Sequence, residues 1–334
     1  MVAVSVIIVN WNRVDDLLRC LGCLQQQSFR DFEIIVVDNG SDDGSSAIVA
    51  EAHPDVRVLA LPENVGYGRA NNLGCELAQG RYIALLNNDA FPEPDWLKYM
   101  VQVLEKHPDV GFCACKILQY PATHLIDTVG DAFSIFGKAL KLGFGEQDEG
   151  QYDKTRPVFG ACAAAAIYRH EMLVDIGLFD DDFSPAGLED IDLSFRAQLR
   201  GYRCRYVPEA VVYHRVAATR SRFSDEMFYL SNRNTEYVFW KNMPGLLLVF
   251  CAPLHLLHLL LALIYHAARG RAGLFLRAKC DAWRRLPAIL GQRRLVRKRR
   301  VSLRYLVSIL DKGIVSLRPT WMPVSNCGQE PVDN

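Results

Sequence analysis

The sequence lacks the glycine-rich fingerprint of a dinucleotide-binding enzyme. Where GxGxxG would follow the first predicted strand, the chain reads Asn10-Trp11-Asn12-Arg13, which argues against a dinucleotide-dependent oxidoreductase. The same stretch lacks the glycine-rich basic loop that a sugar nucleotidyltransferase needs there. No charged-then-apolar leader precedes the strand-like run that begins at Val4, so we expect no secretory signal. We find no internal repeat and no low-complexity tract.

The ten cysteines form neither a disulfide framework nor a zinc site by their spacing. Cys20 and Cys23 make one CxxC, and Cys113 and Cys115 lie two apart, but no second pair stands at zinc-like spacing. We interpret these cysteines as small buried apolar residues. Scattered cysteines without a leader indicate a reducing, cytoplasmic compartment.

The charge of the chain is balanced overall but unevenly distributed. The 334 residues carry 38 Lys and Arg and 38 Asp and Glu, and half of all residues are hydrophobic. Residues 269–304 hold thirteen Lys and Arg against one acid, Asp281, a local charge of +12. An acidic body with a basic tail predicts different partners for the two parts. The length suits two domains, or one large domain with an appendage.

Strands and helices alternate in the N-terminal part of the chain. Val4–Val9 is a continuous apolar run, which is typical of a strand buried on both faces. Further strands are predicted over Ile34–Val37, Val56–Leu61 and Tyr82–Leu86. Residues with helical spacing lie between them, from Val14 to Leu24 and from Gly66 to Ala78. This order predicts an α/β fold, a mostly parallel sheet flanked by helices.

Polar side chains follow three of these strands. Asn10 and Asn12 come after the first strand, Asp38 after the second, and Asn88 and Asp89 after the fourth. Ligands of open α/β sheets bind outside the carboxyl ends of the strands. The sequence therefore predicts a ligand site at these positions.

The middle of the chain has a weaker pattern. Residues 120–157 are predicted to make an irregular excursion over the sheet, followed by a buried strand over Phe159–Tyr168. An acidic loop then leads into a helix. Val207–His214 is another strand-like stretch, which Pro208 is expected to break.

A long uncharged segment precedes the basic tail. Gly245–Ala268 comprises twenty-four residues without a formal charge, long enough to cross a bilayer. A single crossing would separate a cytoplasmic body from the basic tail, which also prefers the cytoplasm. We therefore predict a re-entrant or interfacial helix, with the tail on anionic headgroups. The alternative is a buried helix of a helical subdomain. The adjacent apolar residues favour lipid over nucleic acid as the partner of the tail.

Five segments stand in an order that is specific, although each alone is weak. They read VSVIIVNWN (Val4–Asn12), IIVVDNGSDDGS (Ile34–Ser45), NVGYGRANNLG (Asn64–Gly74), YIALLNNDA (Tyr82–Ala90) and LEDIDLSFRAQLRGY (Leu188–Tyr202). Together they resemble glycosyltransferase family 2 of the GT-A fold, and within it the bacterial rhamnosyltransferase-like branch. The resemblance implies a GT-A domain over residues 1–220 and a helical, membrane-associating region over residues 221–334.

The resemblance assigns the nucleoside and a metal ion to the strand ends. It implies that Asp38 accepts a hydrogen bond from the imide N–H of uracil or thymine; alternatively, Asp38 only begins an Asx turn. Asp89 stands where the family has its DxD motif and is expected to hold Mg²⁺ or Mn²⁺, although Asn87 and Asn88 replace the earlier acids. An ordinary turn aspartate is the alternative. His214 is expected to complete the metal shell, and a packed histidine is the alternative.

The paired acids Glu189 and Asp190 match the catalytic motif of the family. The resemblance implies that Asp190 is the general base for the acceptor hydroxyl, so that attack opposite the leaving nucleotide inverts the anomeric configuration. Alternatively, such acids only favour the helix dipole, a role that suits Asp192. Arg69 is expected near the phosphates or the sugar of the donor. The other expected donor contacts are Asn10, Asn12, Asn64 and Asn88.

The resemblance also implies a function. It favours dTDP-L-rhamnose as donor, with a UDP-hexose second, and a glycan acceptor that is lipid-linked, in cell-surface polysaccharide synthesis at the cytoplasmic face of the plasma membrane. The QxxRW motif of processive members is absent, since the corresponding stretch reads Asn232-Arg233-Asn234. We therefore expect addition of one sugar per encounter. A catalytically inactive, membrane-associated relative is the alternative.

Overall fold

The structure is a computed structural model that describes residues 2–215 and 224–313. Its strands are β1 (Val4–Asn10), β2 (Phe32–Asp38), β3 (Arg57–Ala60), β4 (Tyr82–Leu86), β5 (Ala90–Pro92), β6 (Val110–Gln119), β7 (Ile126–Thr128), β8 (Asp131–Phe133), β9 (Ala139–Lys141), β10 (Arg156–Val158), β11 (Ala165–Arg169) and β12 (Arg203–His214). Its helices are α1 (Val14–Gln25), α2 (Ser45–Ala52), α3 (Tyr67–Leu77), α4 (Trp96–Lys106), α5 (His170–Ile176), α6 (Glu189–Arg200), α7 (Asp225–Asn242), α8 (Gly245–Ala267), α9 (Ala272–Arg284), α10 (Leu286–Gly291), α11 (Arg294–Arg297) and α12 (Leu303–Ile309).

One large mixed sheet organises the molecule. Its strand order is β10-β12-β6-β11-β4-β1-β2-β3, with β5 paired to β12 and β7 paired to β6. The four strands β3, β2, β1 and β4 are parallel, whereas β11 runs antiparallel between β4 and β6. The predicted α/β class is confirmed, and the sheet is mixed because β11 enters it from the opposite direction.

The central strands are apolar because helices cover both faces of the sheet. Every residue of β4 is buried, and so are six of the seven residues of β1. On one face, the inward stripe of α1 contributes Leu17, Leu21 and Leu24 to the core. Burying each such side chain stabilises the fold by about 1.5–3 kcal/mol. This core packs against β1 and β4, whose carboxyl ends lie side by side at one edge of the sheet.

The cysteines of the CxxC and of β6 pack as expected. Cys20, Cys113 and Cys115 are buried, Cys23 is half-buried, and all four are free thiols. Burial raises the pKa of each of these thiols. They serve the core as small apolar side chains.

Two predicted strands differ from the structure. Of the stretch Phe159–Tyr168, only Ala165–Tyr168 belong to a strand, β11, which extends to Arg169, because the preceding residues turn along the wall of a cavity. β12 is longer than predicted and continues through Pro208, with a register shift against β6 between Val207 and Val211. Such a bulge accommodates a residue that has no N–H for the ladder.

The excursion over residues 120–157 contains short strands that the sequence does not signal. β7 pairs with β6, and β8 forms a hairpin with β9. This hairpin lies over the sheet edge and presents Asp131 and Lys141 to the same cavity.

The C-terminal helices pack on the body through a shared hydrophobic cluster. Phe183 and Phe195 of the body meet Tyr237 and Phe239 of α7 in this cluster. Among the described residues, one helix, α8, is long and apolar enough to cross a membrane by length and composition. Of its most apolar stretch, 22% is buried.

Candidate active site

A cavity of about 390 Å³ opens at the carboxyl ends of β1 and β4. Of the residues predicted to form a site, Asn64, Asn88, Asp89, Glu189, Asp190 and His214 line it. Asn10 and Asp38 lie directly behind this wall, whereas Asn12 and Arg69 do not line it. Residues from four separate parts of the sequence therefore meet at the sheet edge that the strand order predicts.

A chain of hydrogen bonds joins Asp38 to the cavity wall. Asn10 and Asp38 are register partners on β1 and β2. Asn10 Nδ2 donates to Asp38 Oδ1 at 3.3 Å, and Asn88 Nδ2 donates to Asn10 Oδ1 at 2.7 Å. Ser41 Oγ also donates to Asp38. Asp38 is thus fixed in position, and Asn88 lies at the cavity end of the chain.

Asn12 and Asn64 shape the loops at this edge. Asn12 has a φ of 52°, and its Oδ1 accepts a hydrogen bond from the Asp42 N–H at 2.8 Å. Asn64 Oδ1 accepts from the Gly66 N–H at 2.9 Å and from Asn39 Nδ2 at 3.1 Å. Asn12 therefore stabilises a turn outside the cavity, while Asn64 both supports its loop and lines the cavity.

Arg69 does not line the cavity. It is more than half exposed and pairs with Asp181 at 3.2 Å. Gly66, just before α3, has a φ of 90°, and the N–H of Tyr67 donates to the Pro185 carbonyl at 3.0 Å. The glycine turn thus packs α3 against the loop before α6, which closes one side of the cavity.

Asp89 and His214 meet because β5 pairs with β12. His214 is the register partner of Ala90, the residue after Asp89. His214 Nε2 lies 3.3 Å from Asp89 Oδ1, and both side chains are buried. Burial acts to lower the pKa of His214, but the carboxylates of Asp89 and Asp127 outweigh burial and raise it. A cation is therefore favoured at this place, whether a proton or a metal ion.

The first turn of α6 carries Glu189 and Asp190 into the cavity. Leu188 has a φ of 66° before the helix starts. Asp190 Oδ2 accepts a hydrogen bond from the Ala163 N–H at 3.2 Å, and Asp190 Oδ1 accepts from the Ile191 N–H at 2.9 Å. Burial nevertheless raises the pKa of Asp190. Burial and the Asp190 charge also raise the pKa of Glu189, whose Oε2 has no hydrogen-bond partner among the described residues.

Asp192, in the same turn, faces away from the cavity. Its carboxylate is fully buried and accepts from Arg196 Nε at 2.7 Å and from Asn242 Nδ2 at 2.7 Å. Lys241 Nζ lies 3.0 Å from it. These cations outweigh burial and lower the pKa of Asp192 to about 2. Its role is structural, since it ties α6 to α7.

Sequence reasoning missed several polar residues of the cavity wall. Asp131 and Lys141 come from the β8–β9 hairpin, and Cys162 and Tyr67 also line the cavity. Potential ligand atoms of Asp131, Cys162 and Asp190 lie within 4.8 Å of one another. The sequence signal for this part of the wall is a pair of acids four residues apart, Asp127 and Asp131, in a segment without clear periodicity.

The mixed sheet with its flanking helices has the GT-A fold, as two solved structures show. GalNAc-T7, solved with UDP, GalNAc and Mn²⁺, matches 72% of this chain and 48% of its own at a TM-score of 0.58 and 15% identity. The mannosyltransferase PcManGT of Pyrobaculum calidifontis, solved with GDP-Man and Mn²⁺, matches 92% of this chain and 87% of its own at a TM-score of 0.53 and 19% identity. At such identities the likeness concerns the fold alone.

The chain belongs to glycosyl transferase family 2, whose sequence pattern matches residues 5–177. Among curated relatives, the O-antigen biosynthesis protein RfbC of Myxococcus xanthus is 28% identical over 225 residues, covering 64% of this chain and 17% of that protein. The succinoglycan biosynthesis protein ExoO of Rhizobium meliloti is 29% identical over 228 residues, covering 63% and 60%. The chain thus spans less than two thirds of either relative.

Proposed function

We propose that this chain is an inverting glycosyltransferase in which Asp190 activates the acceptor and Asp89 and His214 bind a divalent cation on the donor diphosphate. The observation that supports this most directly is that all three side chains line one cavity at the carboxyl ends of the strands. An in-line displacement needs the base on the attacking side and the cation on the leaving diphosphate, so both must face the same substrate.

The donor nucleotide is proposed to bind over Asp38, Asn10, Asn88 and Asn64. Asp38 is held by two side-chain donors and offers its remaining lone pairs to a pyrimidine imide N–H. Asn88 carries the same hydrogen-bond chain to the cavity. Arg69 is the weakest of the donor contacts that the resemblance implies, because it pairs with Asp181 outside the cavity.

The donor set of Asp89 and His214 fits a divalent cation. One carboxylate oxygen and one imidazole nitrogen, 3.3 Å apart, suit Mn²⁺ somewhat better than Mg²⁺. When bound, such a cation would stabilise the charge that develops on the departing diphosphate. Asp131, Cys162 and Asp190 also lie close together, but a thiol with two carboxylates mixes soft and hard ligands.

Asp190 and Glu189 are proposed to divide the proton chemistry. The two N–H donors on Asp190 favour its ionised form, while burial keeps it basic, so it can accept the proton of the acceptor hydroxyl. Burial and the Asp190 charge raise the pKa of Glu189, which favours its protonated form. The carboxyl group of Glu189 would then donate a hydrogen bond to a sugar hydroxyl. Two adjacent acids with different environments take different roles.

The outward face of α8 supports a place on the membrane surface. Its exposed large side chains are Leu246, Val249, Phe250, Leu256, Leu257, Leu260 and Ile264. The inward face instead carries Cys251, His255, Ala262 and His266. A helix with an apolar outward face and a partly polar inward face suits a lipid environment. The arginines of α9 to α11 lie next to it in sequence and suit anionic headgroups. Residues 1–220 would then form the catalytic domain, and residues 221–334 the membrane-associating region.

A lipid-linked glycan acceptor on the cytoplasmic face would follow from such a location. Two relatives are named for O-antigen and succinoglycan biosynthesis, which supports cell-surface polysaccharide synthesis. The preferred donor is dTDP-L-rhamnose, by resemblance, and a UDP-hexose is the second candidate. One sugar would be added per encounter.

The deciding experiment is donor binding and hydrolysis by the full chain across a panel of nucleotide sugars, with and without Mn²⁺. We expect one donor to bind with metal dependence, and Asp89→Ala to abolish that dependence. The matched control is Asp42→Ala, a turn aspartate at the same sheet edge that does not line the cavity. Absence of binding to every donor in both metal conditions would favour the inactive relative instead.

A further inference from the structure

Asp127 lies directly behind the proposed metal ligand His214. It belongs to β7 and is completely buried. Its Oδ2 lies 3.0 Å from His214 Nδ1 and 2.9 Å from Lys141 Nζ. On the other side of the imidazole ring, His214 Nε2 lies 3.3 Å from Asp89 Oδ1. Lys141, Asp127, His214 and Asp89 thus form a continuous polar chain from the β8–β9 hairpin to the cavity wall.

The polar contacts of His214 determine which of its imidazole nitrogens can bind a cation. A neutral imidazole carries one proton, and the nitrogen without the proton supplies the lone pair. An Asp127 carboxylate beside the Lys141 cation can only accept a hydrogen bond, so it retains the proton on Nδ1. Nε2 then presents its lone pair toward Asp89. Carboxylates behind metal-binding histidines commonly fix tautomer and ring orientation in this way.

We propose that Asp127 is a positioning residue for cation binding, which holds His214 in the Nδ1–H tautomer with Nε2 directed to the cavity. The proposal rests on the function proposed above, because the cation belongs to that function. A purely structural ion pair accounts less well for the arrangement. Buried ion pairs seldom stabilise a fold more than apolar side chains of the same size do, and this one meets the proposed ligand at its non-ligating nitrogen.

The tautomer can be measured directly in the wild-type chain. Histidine ¹H–¹⁵N correlation spectra of the full-length protein at alkaline pH, with Mg²⁺ and UDP added, report which ring nitrogen carries the proton. The spectrum of His214→Gln identifies the signals of His214 by their loss. We expect the Nδ1–H form in the wild type. In Asp127→Asn the carboxamide can donate to Nδ1, so the Nε2–H form should increase. An Nε2–H form in the wild type overturns the proposal, even if Asp127→Asn fails to fold.

Cation affinity provides the second readout. Electron paramagnetic resonance of free Mn²⁺, titrated with protein in the presence of UDP, gives the dissociation constant. We expect Asp127→Asn to weaken Mn²⁺ binding by about 10–100-fold. Asp148→Asn is the matched control, because Asp148 also pairs with a lysine at 2.9 Å, Lys116, but does not line the cavity. Equal affinities of the wild type and a folded Asp127→Asn overturn the proposal.

The same titration separates this proposal from the proposed function. If His214→Gln binds Mn²⁺ as tightly as the wild type, the assignment of His214 as a ligand is wrong, and with it that part of the proposed function. If His214→Gln loses Mn²⁺ binding while Asp127→Asn retains it, His214 is a ligand and only the proposed positioning role of Asp127 is wrong.

Discussion

The carboxylate of Asp190 accepts a hydrogen bond from the backbone N–H of Ala163 at 3.2 Å. The bond joins the first turn of α6 to the segment that precedes β11. In that segment the Ala163 N–H is directed at the carboxylate of the proposed base rather than at a neighbouring strand. The position of the proposed base therefore depends on both elements.

Asp190→Asn should reduce turnover without impairing donor binding. The amide retains the size of the side chain but cannot take the acceptor proton, so donor hydrolysis and transfer should fall by about 10²–10⁴-fold. Isothermal titration with the donor identified in the panel should give an unchanged dissociation constant. Asp225→Asn, at the first residue of α7, controls for a helix-dipole effect. Equal losses in the two variants would leave Asp190 with a dipole role only.

Asp131→Asn should make the protein more stable at alkaline pH. Burial, together with the Asp190 charge, raises the pKa of Asp131. The folded state therefore binds this proton more tightly than the unfolded state, and the stability of the wild type falls as pH rises from the usual aspartate pKa through the raised one. Because asparagine carries no such charge, the free energy of unfolding of Asp131→Asn should exceed that of the wild type by at least ~1 kcal/mol at alkaline pH. The difference should vanish in acid.

Thermal unfolding across a pH series measures this difference. Asp109→Asn is the control, since Asp109 is largely exposed on the surface, and it should change the stability little at any pH. A stability gain of Asp131→Asn that persists in acid would show that the buried charge of Asp131 is not its cause.

Asp192→Ala should destabilise the fold strongly. The substitution leaves Arg196 and Lys241 buried without their shared carboxylate, a loss of about 3–5 kcal/mol. The pKa of Asp192 is lowered to about 2. Its stabilisation is therefore present above the usual aspartate pKa and is lost as the pH falls from there to about 2. Urea unfolding measures the free energy. Asp175→Ala removes a carboxylate that is 26% exposed, whereas Asp192 is fully buried, and it should therefore cost less.

Substitution of Val249 and Phe250 by Gln should weaken membrane binding. Both side chains are 68% exposed on the outward face of α8. Burial of each in lipid would contribute about 1.5–3 kcal/mol to the free energy of membrane binding. Flotation with vesicles that contain anionic phosphatidylglycerol should show at least a ~10-fold loss for the double variant. Val174→Gln is the control, because Val174 is 76% exposed on α5. Equal flotation of the double variant and the wild type would contradict a lipid-facing α8.

The amino-acid sequence by itself determined the order of the elements and the polar strand ends. Apolar runs such as Val4–Val9 and the helical repeat of α1 are local patterns, and each depends on a few consecutive residues. The strand ends follow from them, so Asp38 and Asp89 could be assigned to one edge of the sheet. The family order of the segments added Glu189 and Asp190.

Only the tertiary structure decided which side chains meet. Nothing in the sequence distinguishes a packed His214 from a ligand; the pairing of β12 with β5 brings it to Asp89. Asp127 and Asp131 lie on short strands without periodicity, and their burial results from contacts with residues far along the chain. Arg69 lies on the predicted helix, yet it pairs with Asp181 and does not line the cavity. Long-range pairing and burial are collective properties of the folded chain, and local patterns do not contain them.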